Sequence, residues 1–102
     1  MEAMEIIRKG EGKNYNYSQD HCFVKLSSDR TNGSLSFVED TLKPGFYLAR
    51  HHHKIMTEVF YILKGEVELT FDDTTIIAKP GDTVTVPPYV WHAASCKNGG
   101  KM

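Results

Sequence analysis

No stretch of this chain holds a 3.6-residue apolar period long enough for a substantial helix. What recurs instead is a short β-type run closed by a turn residue. "CFVKL" (22–26) and "EVELTF" (66–71) alternate apolar and polar side chains, the second placing Val67, Leu69 and Phe71 on one face. "SLSFVEDTL" (34–42), "FYLARHHH" (46–53), "EVFYILKG" (58–65), "TTIIA" (74–78) and "TVTVP" (83–87) continue the series. The punctuation is equally regular. Asn32-Gly33 carries a hairpin signal. Lys-Pro-Gly occurs at 43–45 and again at 79–81, and "FDDTT" (71–75) marks a further reversal. Short strands separated by Gly, Pro, Asn and Asp turns predict an all-β sandwich or barrel.

A length of 102 residues without linkers or low-complexity tracts predicts one domain over 1–102. The formal net charge of -1 and the scattered basic residues argue against a nucleic-acid or anionic-membrane surface. No apolar run approaches membrane-spanning length, and "MEAMEIIRKGEGKNY" lacks a secretory apolar region. Cys22 and Cys96 form no CxxC pair and are expected as free thiols. The expectation is a cytoplasmic protein.

Three adjacent histidines interrupt the third long β run. Strand alternation puts His51 and His53 on one face and His52 on the other. Glu58 opens the otherwise apolar "EVFYIL". If it shares a face with Phe60 and Ile62 it points inward, where a bare carboxylate is costly unless a cation compensates it. The residues "KIMT" are enough for a reversal that brings Glu58 beside the histidine pair. His92 follows the rigid corner Pro87-Pro88 and opens "HAASC", a strand able to lie beside the pair. Three imidazoles and one carboxylate suit a divalent first-row transition ion: Fe, Mn, Ni, Co, Cu or Zn. Tyr47, four positions before His51, is expected to share the inward face and, with Phe60, to line the cavity at the cofactor. Ile62, Val86 and Trp91 are expected in the core.

These residues resemble the cupin superfamily of small jelly-roll barrels. The first cupin motif is Gly, five residues, His-x-His, three or four residues, Glu, six residues, Gly. Here it reads Gly45, His51, His53, Glu58, Gly65, with every fixed position met. The second motif reads Gly81, Pro87, His92, with two departures: Tyr89 stands where the motif has Gly and Cys96 where it has Asn. The resemblance spans residues 34–97. It implies a double-stranded β-helix (jelly-roll) barrel with His51, His53, Glu58 and His92 as metal ligands. Tyr89 puts the local turn geometry in question. Cupins usually add a closing strand after the second motif, and this chain ends at Lys101-Met102, where such a strand would begin. The barrel is therefore expected to be shorter than usual, to lack that strand, or to miss a tail. An uncovered edge invites pairing, so a homodimer is expected.

By resemblance, the function is that of a metal-binding cupin acting on a small organic molecule. The chemistry expected is dioxygenase-like, with Glu58 as ligand and catalytic base. The rival readings are a non-catalytic small-molecule or metal-binding (sensing) cupin, or an isomerase, decarboxylase or polyketide-cyclase-like one.

Overall fold

The structure is a computed structural model and describes residues 3–102. Ten strands follow in chain order: β1 (Lys13–Asn16), β2 (Asp20–Leu26), β3 (Phe37–Leu42), β4 (Phe46–His51), β5 (Glu58–Tyr61), β6 (Val67–Phe71), β7 (Thr74–Ala78), β8 (Thr83–Val86), β9 (His92–Cys96) and β10 (Gly100–Lys101). They form a four-stranded sheet β1-β2-β3-β10, a second β4-β9-β6-β7, and a two-stranded ribbon β5-β8. Every pairing within them is antiparallel. The expected all-β jelly roll is thus the fold observed.

One apolar cluster joins the inner faces. Leu42 comes from the first sheet, Phe46, Val67, Leu69, Ala78, Ala94 and Cys96 from the second, and Phe60, Ile62 and Val86 from the ribbon's side. Ile62 is fully enclosed. Truncating a side chain so placed to alanine costs about 2–5 kcal/mol. β6 alternates as expected, with Val67 and Leu69 buried and Glu68 between them exposed, whereas β2, also expected to alternate, is half-buried along its whole length.

The turns follow their residues. Both Lys-Pro-Gly corners are the same reversal. Phe46 N–H donates to Lys43 C=O and Asp82 N–H to Lys79 C=O, with Gly45 and Gly81 at φ 85° and 93°. Phe71 pairs directly with Thr74, so Asp72-Asp73 makes a tight hairpin, with Asp72 at φ 49°. Asn32-Gly33 behaves differently from expectation. It caps a 3-10 turn, Ser28–Thr31, rather than closing a two-residue hairpin. Local bonds win there: Thr31 Oγ1 donates to Leu35 C=O and accepts from Leu35 N–H, and Gly33 N–H donates to Ser28 C=O. The following strand accordingly starts at Phe37, leaving Leu35 and Phe37 exposed.

The C-terminal residues do form a strand, only two residues long. β10 lies against β3 and reaches across to the end of the ribbon. Met102 exchanges both backbone bonds with Asp40, and Lys101 does the same with Lys64. This two-residue strap links the first sheet to the segment that follows the ribbon, while the three sheets remain separate. Cys22 and Cys96 are both free thiols. Cys96, standing where the motif has Asn, donates its thiol hydrogen to Glu66 C=O at 3.3 Å.

Candidate metal centre

The candidate ligands come from the second sheet, the ribbon and the loop between them. His51 ends β4 and pairs with His92 at the start of β9. On the other side of β9, Phe71 pairs with His92. Glu58 opens β5 opposite Val86. Directly paired residues share a face, so Phe71 and Val86 flank the ligand set. The sequence pattern marked both as core-facing but could not place them beside the ligands, because strand pairing is invisible in one sequence.

A bulge decides which residues of β4 face inward. Leu48 pairs with Ala94 and His51 with His92, three steps along β4 against two along β9. The extra residue reverses the alternation. His51 therefore joins Phe46 and Leu48 on the inner side, and Tyr47 does not. Tyr47 is 58% exposed on the outer face. The expectation that it lines the cavity is corrected, since it assumed unbroken period two. Phe60 does face inward, one inward position beyond Glu58 and buried. Trp91, expected in the core, is 42% exposed.

The four side chains converge. One nitrogen from each of His51, His53 and His92 and one oxygen of Glu58 all lie within 4.8 Å of one another. Bonds of about 2.1 Å to a first-row ion bring opposite ligands to about 4.2 Å, so a few tenths of an ångström of contraction would close the site. Two rings are oriented alike. His51 Nδ1 donates to Ala49 C=O at 2.8 Å and His92 Nδ1 to Val90 C=O at 2.9 Å. A carbonyl can only accept, so Nδ1 holds the proton and Nε2 is left bare for a cation.

The polar accounting also calls for a cation. Glu58 Oε1 stands 3.1 Å from His92 Nε2 and 3.5 Å from His53 Nε2. A neutral His92 has one proton and spends it on Val90, so it has none for Glu58. His53 Nε2 is enclosed and has no hydrogen-bond partner. A divalent ion would satisfy all three groups at once. The donor set fits the metal that the motif implies. Exposure is uneven: the His92 side chain is 2% exposed, Glu58 24% and His53 29%, and His51 is half-buried.

The second motif's departure at Tyr89 is accommodated. Tyr89 adopts φ 68°, the left-handed conformation a glycine would take. Its N–H donates to His53 C=O at 2.7 Å, tying the turn before His92 to the segment carrying His53. Away from the ligands, Asp40 faces Cys22 across β2 and β3. Burial first, then Asp20 beside it, pushes the Asp40 carboxyl up to about 7. Burial raises both thiols, Cys22 with help from Asp40 and Asp20.

Comparison with known proteins agrees with this geometry. The cupin domain model (Cupin_2) matches residues 38–101. Quercetin 2,3-dioxygenase of Bacillus subtilis (strain 168) is 26% identical over 88 residues, 86% of this chain and 26% of that protein. An uncharacterized protein of Methanocaldococcus jannaschii is 33% identical over 57 residues, 56% of this chain and 46% of that protein. The chain thus spans between about a quarter and a half of the curated relatives it matches. The crystal structure of a predicted oxalate decarboxylase from Thermotoga maritima superposes with a TM-score of 0.84 at 20% identity, covering 95% of this chain and 91% of that one. At that identity the likeness speaks for the fold alone. With the motif residues gathered at one point of a jelly-roll barrel and the family model matched over most of its length, this chain belongs to the cupin family.

Proposed function

We propose that this protein holds one divalent transition metal through His51, His53, Glu58 and His92 and acts on a small organic molecule in a dioxygenase-like reaction. The observation that carries the proposal is the convergence of four ligand atoms whose hydrogen bonding is incomplete without a cation. A bound ion would polarise a substrate oxygen and, if redox-active, support chemistry with dioxygen. The protein's own residues do the rest. His51 and His92 keep bare nitrogens aimed at one point because their protons are held by backbone carbonyls. Glu58 turns Oε1 toward the imidazoles, so Oε2 takes the proton of a substrate hydroxyl, a role that needs hydrogen-bond reach. Phe71, Val86 and Phe60 give the inner wall an apolar character suited to a planar, oxygen-bearing substrate such as a flavonol or an enediol. The likeness to quercetin dioxygenase supports this class. Decarboxylation is the second reading, since a metal so held could equally polarise a substrate carboxylate.

The test begins with metal content of protein purified without chelator or metal-affinity tag. Oxygen uptake is then followed over flavonols and enediols with the Fe, Mn, Ni and Cu forms. Absence of turnover and uptake in all of them would sink the dioxygenase reading and leave decarboxylation, isomerisation, ring closure or a non-catalytic binding role. His51→Ala and His92→Ala are each expected to lose stoichiometric metal. Metal retained by either would overturn the ligand assignment.

Two further readings accompany this one. The protein works as a homodimer, supported by the exposed edge strand β1 and by Val59, Tyr61 and Leu63 on the ribbon's outer side. It resides in the cytoplasm, supported by its two free thiols.

A further inference from the structure

The segments that carry His51 and His92 meet twice, once inside the barrel and once outside. Inside, the two ligands stand opposite each other with ring centroids 4.2 Å apart. Outside, their neighbours meet. His52, next after His51, lies over the indole of Trp91, the residue before His92, at 4.1 Å and 39°. Arg50, just before His51, sets its guanidinium 4.9 Å from the centre of the same ring. Both neighbours of one ligand therefore contact the neighbour of the other.

The location of this contact gives it a task. The β4–β9 ladder is irregular between Leu48 and His51, immediately before the ligands. A bulge leaves local pairing weakened and the strand free to twist. A metal site demands placement to within about half an ångström. Ring stacking and a cation over an aromatic face can restore the order the ladder loses. Trp91 is 42% exposed, so its ring adds little to the interior.

We infer that Trp91, gripped by His52 and Arg50 on the outer face, is a positioning residue that sets the separation of His51 and His92 for the metal. His52 then has a role in the site although it lies on the opposite face from His51 and is not among the four candidate ligands. The inference rests on reading the four inner residues as metal ligands.

The experiment measures Zn2+ affinity by competition with a chromophoric chelator, alongside melting of the metal-free and metal-loaded protein. Wild type, His52→Ala, His52→Phe and Trp91→Leu are compared. His52→Ala and Trp91→Leu are expected to bind Zn2+ about tenfold more weakly, the lower end of losses on removing a ligand's outer support. His52→Phe, which keeps a ring over the indole, is expected to restore the affinity. A purely structural contact would lower both melting temperatures equally and leave affinity unchanged. That result, or failure of phenylalanine to rescue, overturns the inference. Trp91→Leu risks misfolding, so the two His52 variants decide the matter. If wild type itself binds no Zn2+, the ligand reading fails first; if only the variants match wild type, that reading stands and the positioning role falls.

Discussion

Two residues hold conformations or protons that ordinary solution chemistry would not give them. Tyr89 sits at φ 68°, where a side chain costs about 1–2 kcal/mol. Glycine there costs about 0.5–1 kcal/mol in extra chain entropy. Tyr89→Gly is therefore expected to stabilise the fold by up to about 1 kcal/mol, a melting temperature higher by several degrees. The N–H bond to His53 needs no side chain and should survive. Asp40 gives a pH signature. Its carboxyl is raised to about 7 by burial and by Asp20, so the folded state keeps a proton that the unfolded chain has released above about pH 4. The contribution of this group to stability is then greatest at acidic pH and falls as pH rises from about 4 through 7. Screening at this half-buried site limits the loss to about 2 kcal/mol. Urea unfolding at pH 5 and pH 8 should show that difference in wild type, and Asp40→Asn should flatten it. The four candidate ligands could be picked out in the sequence because their residue types and spacings suit a metal site. Asp40's protonation was not, because it arises from a neighbour supplied by another strand.

The elements show the same divide between local and paired information. Every strand with an apolar rhythm was readable. β1, whose sequence is Lys-Asn-Tyr-Asn and whose residues are all exposed, has no such rhythm and exists only because β2 offers it an edge. The bulge in β4 was likewise unreadable, and it alone sent Tyr47 outward. The closing glycine of the first motif gains a physical reason. Gly65 lies at φ 81°, and a Cβ there would meet the carbonyl oxygen of Gly99 at 2.5 Å as the C-terminal strap passes over it. Gly65→Ala should thus cost about 2 kcal/mol or more through strain and a displaced β10. Hydrogen exchange should show the loss at the amides of Lys64, Lys101 and Met102 before the core responds.

At the scale of the molecule, the candidate ligands tie the four-stranded sheet of β4 and β9 to the ribbon that begins at Glu58. A ligand that binds only the folded state stabilises it by an amount that grows with its concentration, about 4 kcal/mol at a thousandfold excess over Kd. Chelation should therefore lower the melting temperature, and restored metal should raise it in a concentration-dependent way. Loss of that dependence in His92→Ala would be consistent with the same site; its persistence would point to metal bound elsewhere. Fold class and family were within reach of the sequence because the motif spans both halves of the barrel. How the last residues pair was not, since the two-residue strap has no pattern of its own.

The uneven exposure of the ligand set has a consequence for time as well as for equilibrium. His92 is buried, while His51, His53 and Glu58 are half-buried. An ion held there as proposed would be least accessible on the His92 side. Water or a competing chelator would approach it past the three half-buried side chains. Exchange would then be set by how often those side chains swing aside, and a bulky chelator would strip the ion more slowly than a small one of equal strength. Residence of such an ion would be governed by that gate as well as by the affinity of the four.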